Sequence, residues 1–263
     1  VDAIEVLRKA SAAVYGRVKG MAGTEQAAGD FGRGAGGDIS RRIDIVAEKA
    51  VLECLADANF GCTVLGEECG RVEIPGENMG FVIMDAIDGS ANAVRGVPFF
   101  CCSLAFAPQE RLSAVTDAVV TDLANARQYW ACADKGAYCN DRRISVGDAN
   151  PIYKIVGVNT SGSTPELLAK LQPVFQRHNH TRHFGANALE MSMVASGLMD
   201  ILIDLRGKIR VQDVAAGCLI VREAGGLVLD DAMQPLDSGL EYGTKLSFVA
   251  ANSMKIIEEL LKQ

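Results

Sequence analysis

The run Phe81-Val82-Ile83-Met84-Asp85-Ala86-Ile87-Asp88-Gly89-Ser90-Ala91-Asn92 constrains this chain more than any other stretch. Its apolar first half reads as a strand that ends in Asp85, and a tight turn then brings Asp88 nearby. Two carboxylates can so converge on one hard cation, while Gly89 allows a backbone to approach closely. Ser90 would open a short helix whose first amides, unpaired within the helix, form an anion cradle beside the acids. The same residues also fit a surface turn with Ser90 as its N-cap. The spacing is not the D-x-[DN]-x-[DN]-G of a calcium-binding loop.

Two further acidic segments stand out, one at a strand end and one at a helix start. Gly66-Glu67-Glu68 follows Thr63-Val64-Leu65, and Val211-Gln212-Asp213-Val214-Ala215-Ala216-Gly217 sets an aspartate at the head of a small-residue helix. Each has a plain alternative, a solvated strand edge for the first and a helix-capping aspartate for the second.

Around these segments the periodicity gives a layered mixture of helix and strand. Ile4, Leu7, Val14 and Val18 mark an amphipathic helix ending near Gly20, and the glycine-rich stretch to Gly37 reads as a long mobile loop. A helix is expected from Ser40 to Asp57, with Ile43, Val46, Ala47, Ala50 and Val51 inward. Strands are expected at Cys62 to Leu65, Phe81 to Met84, Phe100 to Phe106, Ala114 to Val120 and Gln128 to Ala133, with turns at Pro75-Gly76, Asn78 and Pro108. Strands at Ile152 to Val158, Ile201 to Asp204, Leu227 to Leu229 and Phe248 to Ala251 then alternate with helices at Pro165 to Gln176, Ala188 to Ser196, Val214 to Ala224 and Lys255 to Lys262. One domain over 1–263 is expected, with sub-halves of about 1–150 and 151–263.

The 263 residues are 49% hydrophobic, enough for a substantial core. A net charge of −7 disfavours nucleic acid and anionic membrane as partners, so an anionic ligand needs a local positive device such as a metal ion. With no apolar run of ~18 residues and no signal-peptide pattern, a cytoplasmic protein is expected. The eight cysteines show no paired C-x-x-C spacing and read as reduced, buried thiols rather than disulfides or a zinc site.

Taken together, the three acidic segments resemble the inositol monophosphatase family. Its signatures are a Gly-Glu-Glu strand end, an Asp-x-Ile-Asp-Gly-(Thr/Ser) turn and an Asp-x-Ala-Ala-Gly helix start, and all occur here in that order. Phe184-Gly185-Ala186 through Glu190 fits the intervening substrate-side segment. The resemblance covers nearly the whole chain and implies an αβαβα sandwich that forms homodimers. It implies Glu67, Asp85, the Ile87 carbonyl, Asp88 and Asp213 as metal ligands, and Asp88, Gly89 and Ser90 as the phosphate site. Asp38 and Asp44 stand where the family completes a looser third metal site, and with Glu67 and Ser90 they form the implied catalytic set. Read as residues alone, Asp38 and Asp44 also fit a loop turn and a helix-surface charge. Ala86 stands where the family usually has proline, Gln212 where tryptophan commonly precedes the aspartate, and no lysine lies near Ala35.

The implied cofactor is two or three Mg2+, with Mn2+ or Zn2+ as substitutes, and the implied reaction is attack of a metal-activated water on a phosphate monoester, in line with the departing alcohol. Arg206 and Arg210, with Gly185, Ala186 and Glu190, resemble the substrate side of archaeal members that hydrolyse both inositol monophosphate and fructose 1,6-bisphosphate. A solvated face is the alternative for either arginine. Asn159 and Thr160 lie where some of those relatives have tyrosines. A 3′-phosphorylated nucleotide is the rival substrate, and a non-catalytic metal- or phosphate-binding protein is the rival class. Gly32 to Gly37 matches G-x-G-x-x-G, but no apolar strand leads into it. Asp30-Phe31-Gly32 lacks the companion motifs of a kinase, and Ser161-Gly162-Ser163 lacks the G-x-S-x-G frame. His178, His180 and His183 read as a solvated connection rather than a zinc site, with no cysteine near them.

Overall fold

The structure, a computed structural model, describes residues 2–37, 39–77, 80–148, 152–178 and 180–261. Asp38, Asn78 and Lys262, each part of an expectation above, lie outside the described residues.

Two helices open the chain, α1 (Ala3–Val18) and α2 (Arg42–Asp57). The apolar stripe of α1 at Ile4, Leu7, Val14 and Val18 shares one core with Ile43, Ala47 and Val51 of α2. Next come β1 (Cys62–Gly66), β2 (Gly70–Ile74), β3 (Gly80–Asp88), the short helix α3 (Ser90–Arg95), β4 (Cys101–Ala107), β5 (Asp117–Asp122), β6 (Arg127–Cys132), β7 (Gly136–Cys139) and β8 (Arg142–Ile144). These strands form one sheet in the order β2-β1-β3-β4-β5-β6-β7-β8, in which β1 and β3 run parallel. After them follow β9 (Val156–Val158), α4 (Pro165–Arg177), β10 (Thr181–Arg182), α5 (Asn187–Ala195), β11 (Ile201–Ile209), α6 (Val211–Glu223), β12 (Leu227–Leu229), β13 (Leu246–Ala251) and α7 (Met254–Leu261). The second sheet has the order β10-β9-β11-β13-β12.

Period-two alternation along the strands sorts the side chains into layers. Val82, Met84, Cys102 and Leu104 join the α1–α2 core, whereas Ile83, Cys101 and Ala105, from the opposite face, join a central core with α5 and α6. From the second sheet Leu202, Phe248 and Ala250 enter that central core. Their neighbours Ile201, Ile203, Val249 and Ala251 instead pack with Leu171 and Val174 of α4 and Ile256 and Ile257 of α7. Both sheets are thus covered on both faces, which is the expected αβαβα sandwich.

Several expectations are corrected in detail. The second helix begins at Arg42, the strand read from Ile152 is paired only over Val156–Val158, and the strand read from Ala114 starts at Asp117, after a single 3-10 turn at Leu112–Ala114. Four strands were unread: β2, β7, β8 and β10. The glycine-rich stretch, expected as a loop, touches the rest of the molecule at several points: Ala27 is buried, Arg33 bridges Ile39, and the Gly36 amide donates to the Glu67 carbonyl at 2.7 Å. All eight cysteines are free, five of them buried and three half-buried. Among the described residues no helix is long and apolar enough to cross a membrane.

Candidate active site

The parallel pair β1 and β3 ends at one edge of the large sheet, with Gly66 opposite Met84. The next residues, Glu67 and Asp85, therefore emerge side by side. Past Asp85 the register with β4 shifts, so that Asp85 pairs with Ser103 and Asp88 with Cys101. A bulge of this kind re-aims side chains at the end of a ladder. Gly89 then takes φ +90°, a left-handed conformation that L side chains rarely adopt, and turns the chain into α3. Its missing Cβ also leaves room for Ala186, whose Cβ would lie 3.2 Å away.

Helix starts deliver the remaining groups. Asp213 is the third residue of α6 and accepts from the Arg210 amide at 2.9 Å, as Asp44 in α2 accepts from the Arg41 amide at 2.7 Å. Both are capping-box geometries that fix where the carboxylate points. The Ser90 hydroxyl lies 2.8 Å from Asp44 Oδ1 and 2.9 Å from the Ile87 carbonyl, with one proton to share between these two acceptors. Asp88 is held from α5, whose Ala188 amide donates to Oδ2 at 2.7 Å, and the Cys101 thiol lies 3.7 Å from the same oxygen.

One oxygen each from Glu67, Asp85 and Asp213 lies within 4.8 Å of the other two. Among the described residues this is the one such group of metal-ligating side chains, and the three histidines form none. Burial pushes the Glu67 carboxyl up to about 8, against the lowering effect of Arg210, and Asp88 up to about 8. Burial also holds Asp85 well above the usual carboxylate range and raises Asp213, while Asp44 is pushed up to about 6. Ionised carboxylates so close and so desolvated need a cation among them. The donors are all hard oxygens, the set that suits magnesium, so the residues present fit that ion.

A cleft of about 1170 Å³ opens over this group, lined by Asp44, Glu67, Asp85, Ile87, Asp88, Gly89, Ser90, Gly185 and Asp213 and rimmed by Arg206, Lys208, Arg210 and Lys245. Sequence-expected residues on the substrate side divide. Arg206 lines the cleft, but its fork is held by buried Asp204 at 2.8 and 2.6 Å and by the Ser161 carbonyl at 3.0 Å. Arg210 bonds Glu67 at 2.6 Å and Asp213 at 3.2 Å. Glu190 is buried beneath the wall, where it accepts the amides of Phe184, Gly185 and Ala186, and Ala186 is buried with it.

Two supporting residues went unread. Glu48 accepts the amides of Glu68 and Cys69 at 2.9 and 2.8 Å, and the Tyr242 hydroxyl donates to the Gly66 carbonyl at 2.7 Å, so both sides of the Glu67 backbone are fastened. The signal for Glu48 was its place four residues after Asp44, on the buried side of α2. Tyr242 carried none, being set in a turn far along the chain.

Comparison with known proteins agrees with this geometry. The chain is 33% identical over 264 residues to the fructose-1,6-bisphosphatase/inositol-1-monophosphatase of Archaeoglobus fulgidus, covering 99% of this chain and 97% of the relative. It is 31% identical over 255 residues to the protein of the same description from Methanothermobacter thermautotrophicus, covering 93% and 90%. A solved inositol monophosphatase-fructose 1,6 bisphosphatase superposes with a TM-score of 0.86 at 26% identity, covering 99% of each chain. The model of the inositol monophosphatase family matches residues 2–263, and the chain belongs to that family.

Proposed function

We propose that the chain is a Mg2+-dependent phosphomonoesterase acting on inositol monophosphate and on fructose 1,6-bisphosphate. The observation that carries this reading is the meeting of Glu67, Asp85 and Asp213 at one point, with Asp88 and the start of α3 beside it. Glu67, Asp85, Asp88, Asp213 and the Ile87 carbonyl would hold Mg2+. When bound there, the ion offsets the charge of the phosphate ester, acidifies water and stabilises the departing alkoxide.

The chain's own groups supply orientation and proton transfer. Ser90 Oγ and Asp44 form a relay in which the hydroxyl accepts a proton from the attacking water while passing its own to Asp44 Oδ1. Asp44, raised to about 6 chiefly by burial, is ionised near neutrality and so can accept that proton. Ser90 and Ala91, the first residues of α3, line the cleft, and their helix-start amides would receive phosphate oxygens there. Lys208 also lines the cleft, and exchange of its bond to the Gly162 carbonyl, 2.7 Å, for a second phosphate would favour the bisphosphate as one substrate. A homodimer, as the family implies, completes the proposal, with sedimentation as its test. Phosphate release is to be measured from inositol 1-phosphate, fructose 1,6-bisphosphate and a 3′-phosphorylated adenosine nucleotide, with Mg2+ and with a chelator. Turnover of the first two in Mg2+, lost in chelator and restored by Mg2+, is expected. Turnover of the nucleotide alone, or equal rates with and without metal, would refute it.

A further inference from the structure

The carboxylate group already holds a cation that the chain itself provides. Arg210 Nη1 donates to Glu67 Oε1 at 2.6 Å and Nε to Asp213 Oδ1 at 3.2 Å, with all three side chains largely buried. The residue is the N-cap of α6, so its backbone is tied to Asp213 by the cap bond as well. Gly36 covers the pair, and a Cβ there would lie 2.8 Å from Arg210 Nη1 and 2.9 Å from Glu67 Cγ. A guanidinium cannot discharge, and its bonds to carboxylates are among the strongest a side chain makes. A divalent ion arriving at the same carboxylates meets the charge of that guanidinium and competes with it for their oxygens.

We propose that Arg210 is the built-in counter-cation of this site, competing with a divalent ion for Glu67 and Asp213 and swinging toward the cleft when the ion wins. Arg210 thereby sets metal affinity before any substrate arrives. The inference rests on the reading that the carboxylate group takes a divalent ion. Lys245 provides the comparison, since it lines the same cleft and feels Asp213, yet makes no ion pair with Glu67, Asp85 or Asp213 among the described residues.

The test is Mn2+ binding to the substrate-free protein by titration calorimetry, for the unmodified chain, Arg210→Gln, Arg210→Lys and Lys245→Gln. Competition by charge-assisted bonds predicts binding roughly tenfold or more tighter in R210Q, and a change within about threefold in K245Q. Equal tightening in both variants would mean diffuse charge rather than competition, and no tightening in R210Q would equally overturn the proposal. Absence of Mn2+ binding in every protein would overturn both the proposal and the metal reading beneath it. Should R210Q fail to fold, the unmodified chain decides: the Arg210 Nε–H resonance, identified by its loss in R210K, must move in step with Mg2+ occupancy. A resonance that stays put as Mg2+ saturates the site contradicts the exchange.

Discussion

Asp88 shows how one side chain serves structure and chemistry at once. Its Oδ2 accepts the Ala188 amide, which ties the bulge of β3 to α5, and the same side chain lines the cleft. An amide keeps the first role and loses the charge of the second. Asp88→Asn is therefore expected to retain the circular dichroism of the parent while phosphate release falls roughly a hundredfold or more. Unchanged turnover would remove Asp88 from the catalytic account. Ser90→Ala breaks the relay to Asp44 without touching a carboxylate, so kcat should fall roughly a hundredfold with KM little changed. A fall confined to KM would make the hydroxyl a binding group only. At this scale the sequence was legible where an acid ended an apolar strand, as at Glu67 and Asp85, whereas Asp213, at the head of a small-residue helix, was marked only by the family resemblance. It was silent on what such acids touch. Glu190, named with the substrate side, folds onto the amides of Phe184, Gly185 and Ala186, and Arg206 lines the cleft with its fork bonded to Asp204, because partners brought in by tertiary packing leave no local trace.

Among the elements, the decisive junction is the one from β3 to α3. Gly89 sits at φ +90° with Phe99 O and Ala186 Cβ each 3.2 Å from where a Cβ would be. Gly89→Ala should cost about 1–3 kcal/mol from the left-handed backbone and crowding, read as a lowered urea midpoint. It should also tilt the first turn of α3, so kcat/KM falls even where the variant is folded. Full activity with lowered stability would separate the turn from the chemistry. The junction was readable because Asp-Gly-Ser after an apolar run carries turn chemistry in its own residues. The strands β2, β7, β8 and β10 were not readable, for a different reason. β2 alternates half-buried and exposed positions over Gly-Arg-Val-Glu-Ile, and β10 has two residues, so neither offers an apolar run long enough to stand out from a loop. They are edge and near-edge strands whose pairing is decided by neighbours.

For the molecule as a whole, the buried acids tie stability to pH and metal. Asp44 is raised to about 6, Glu190 to about 7, and Glu67 and Asp88 to about 8, each chiefly by burial. A carboxyl whose folded value exceeds its unfolded one stabilises the fold fully below the unfolded value and loses that contribution as pH rises through the folded one. In chelator, Tm should therefore fall as pH climbs from about 4.5 toward about 8. Mg2+ should raise Tm, and most at the alkaline end, because it binds the ionised form and only the folded state assembles the site. A Tm in chelator that is flat or rising over that window would contradict the burial of these groups. The layered arrangement makes the site possible, since the strand ends of the large sheet and the starts of α2, α3, α5 and α6 meet only when the helix layers on both faces of that sheet are in place. That meeting is tested most directly by diffraction from crystals soaked in Mn2+, with anomalous scattering recorded to locate the metal. An anomalous peak coordinated by Glu67, Asp85 and Asp213 is the predicted result, and a map with no peak within bonding distance of these three carboxylates would contradict the account.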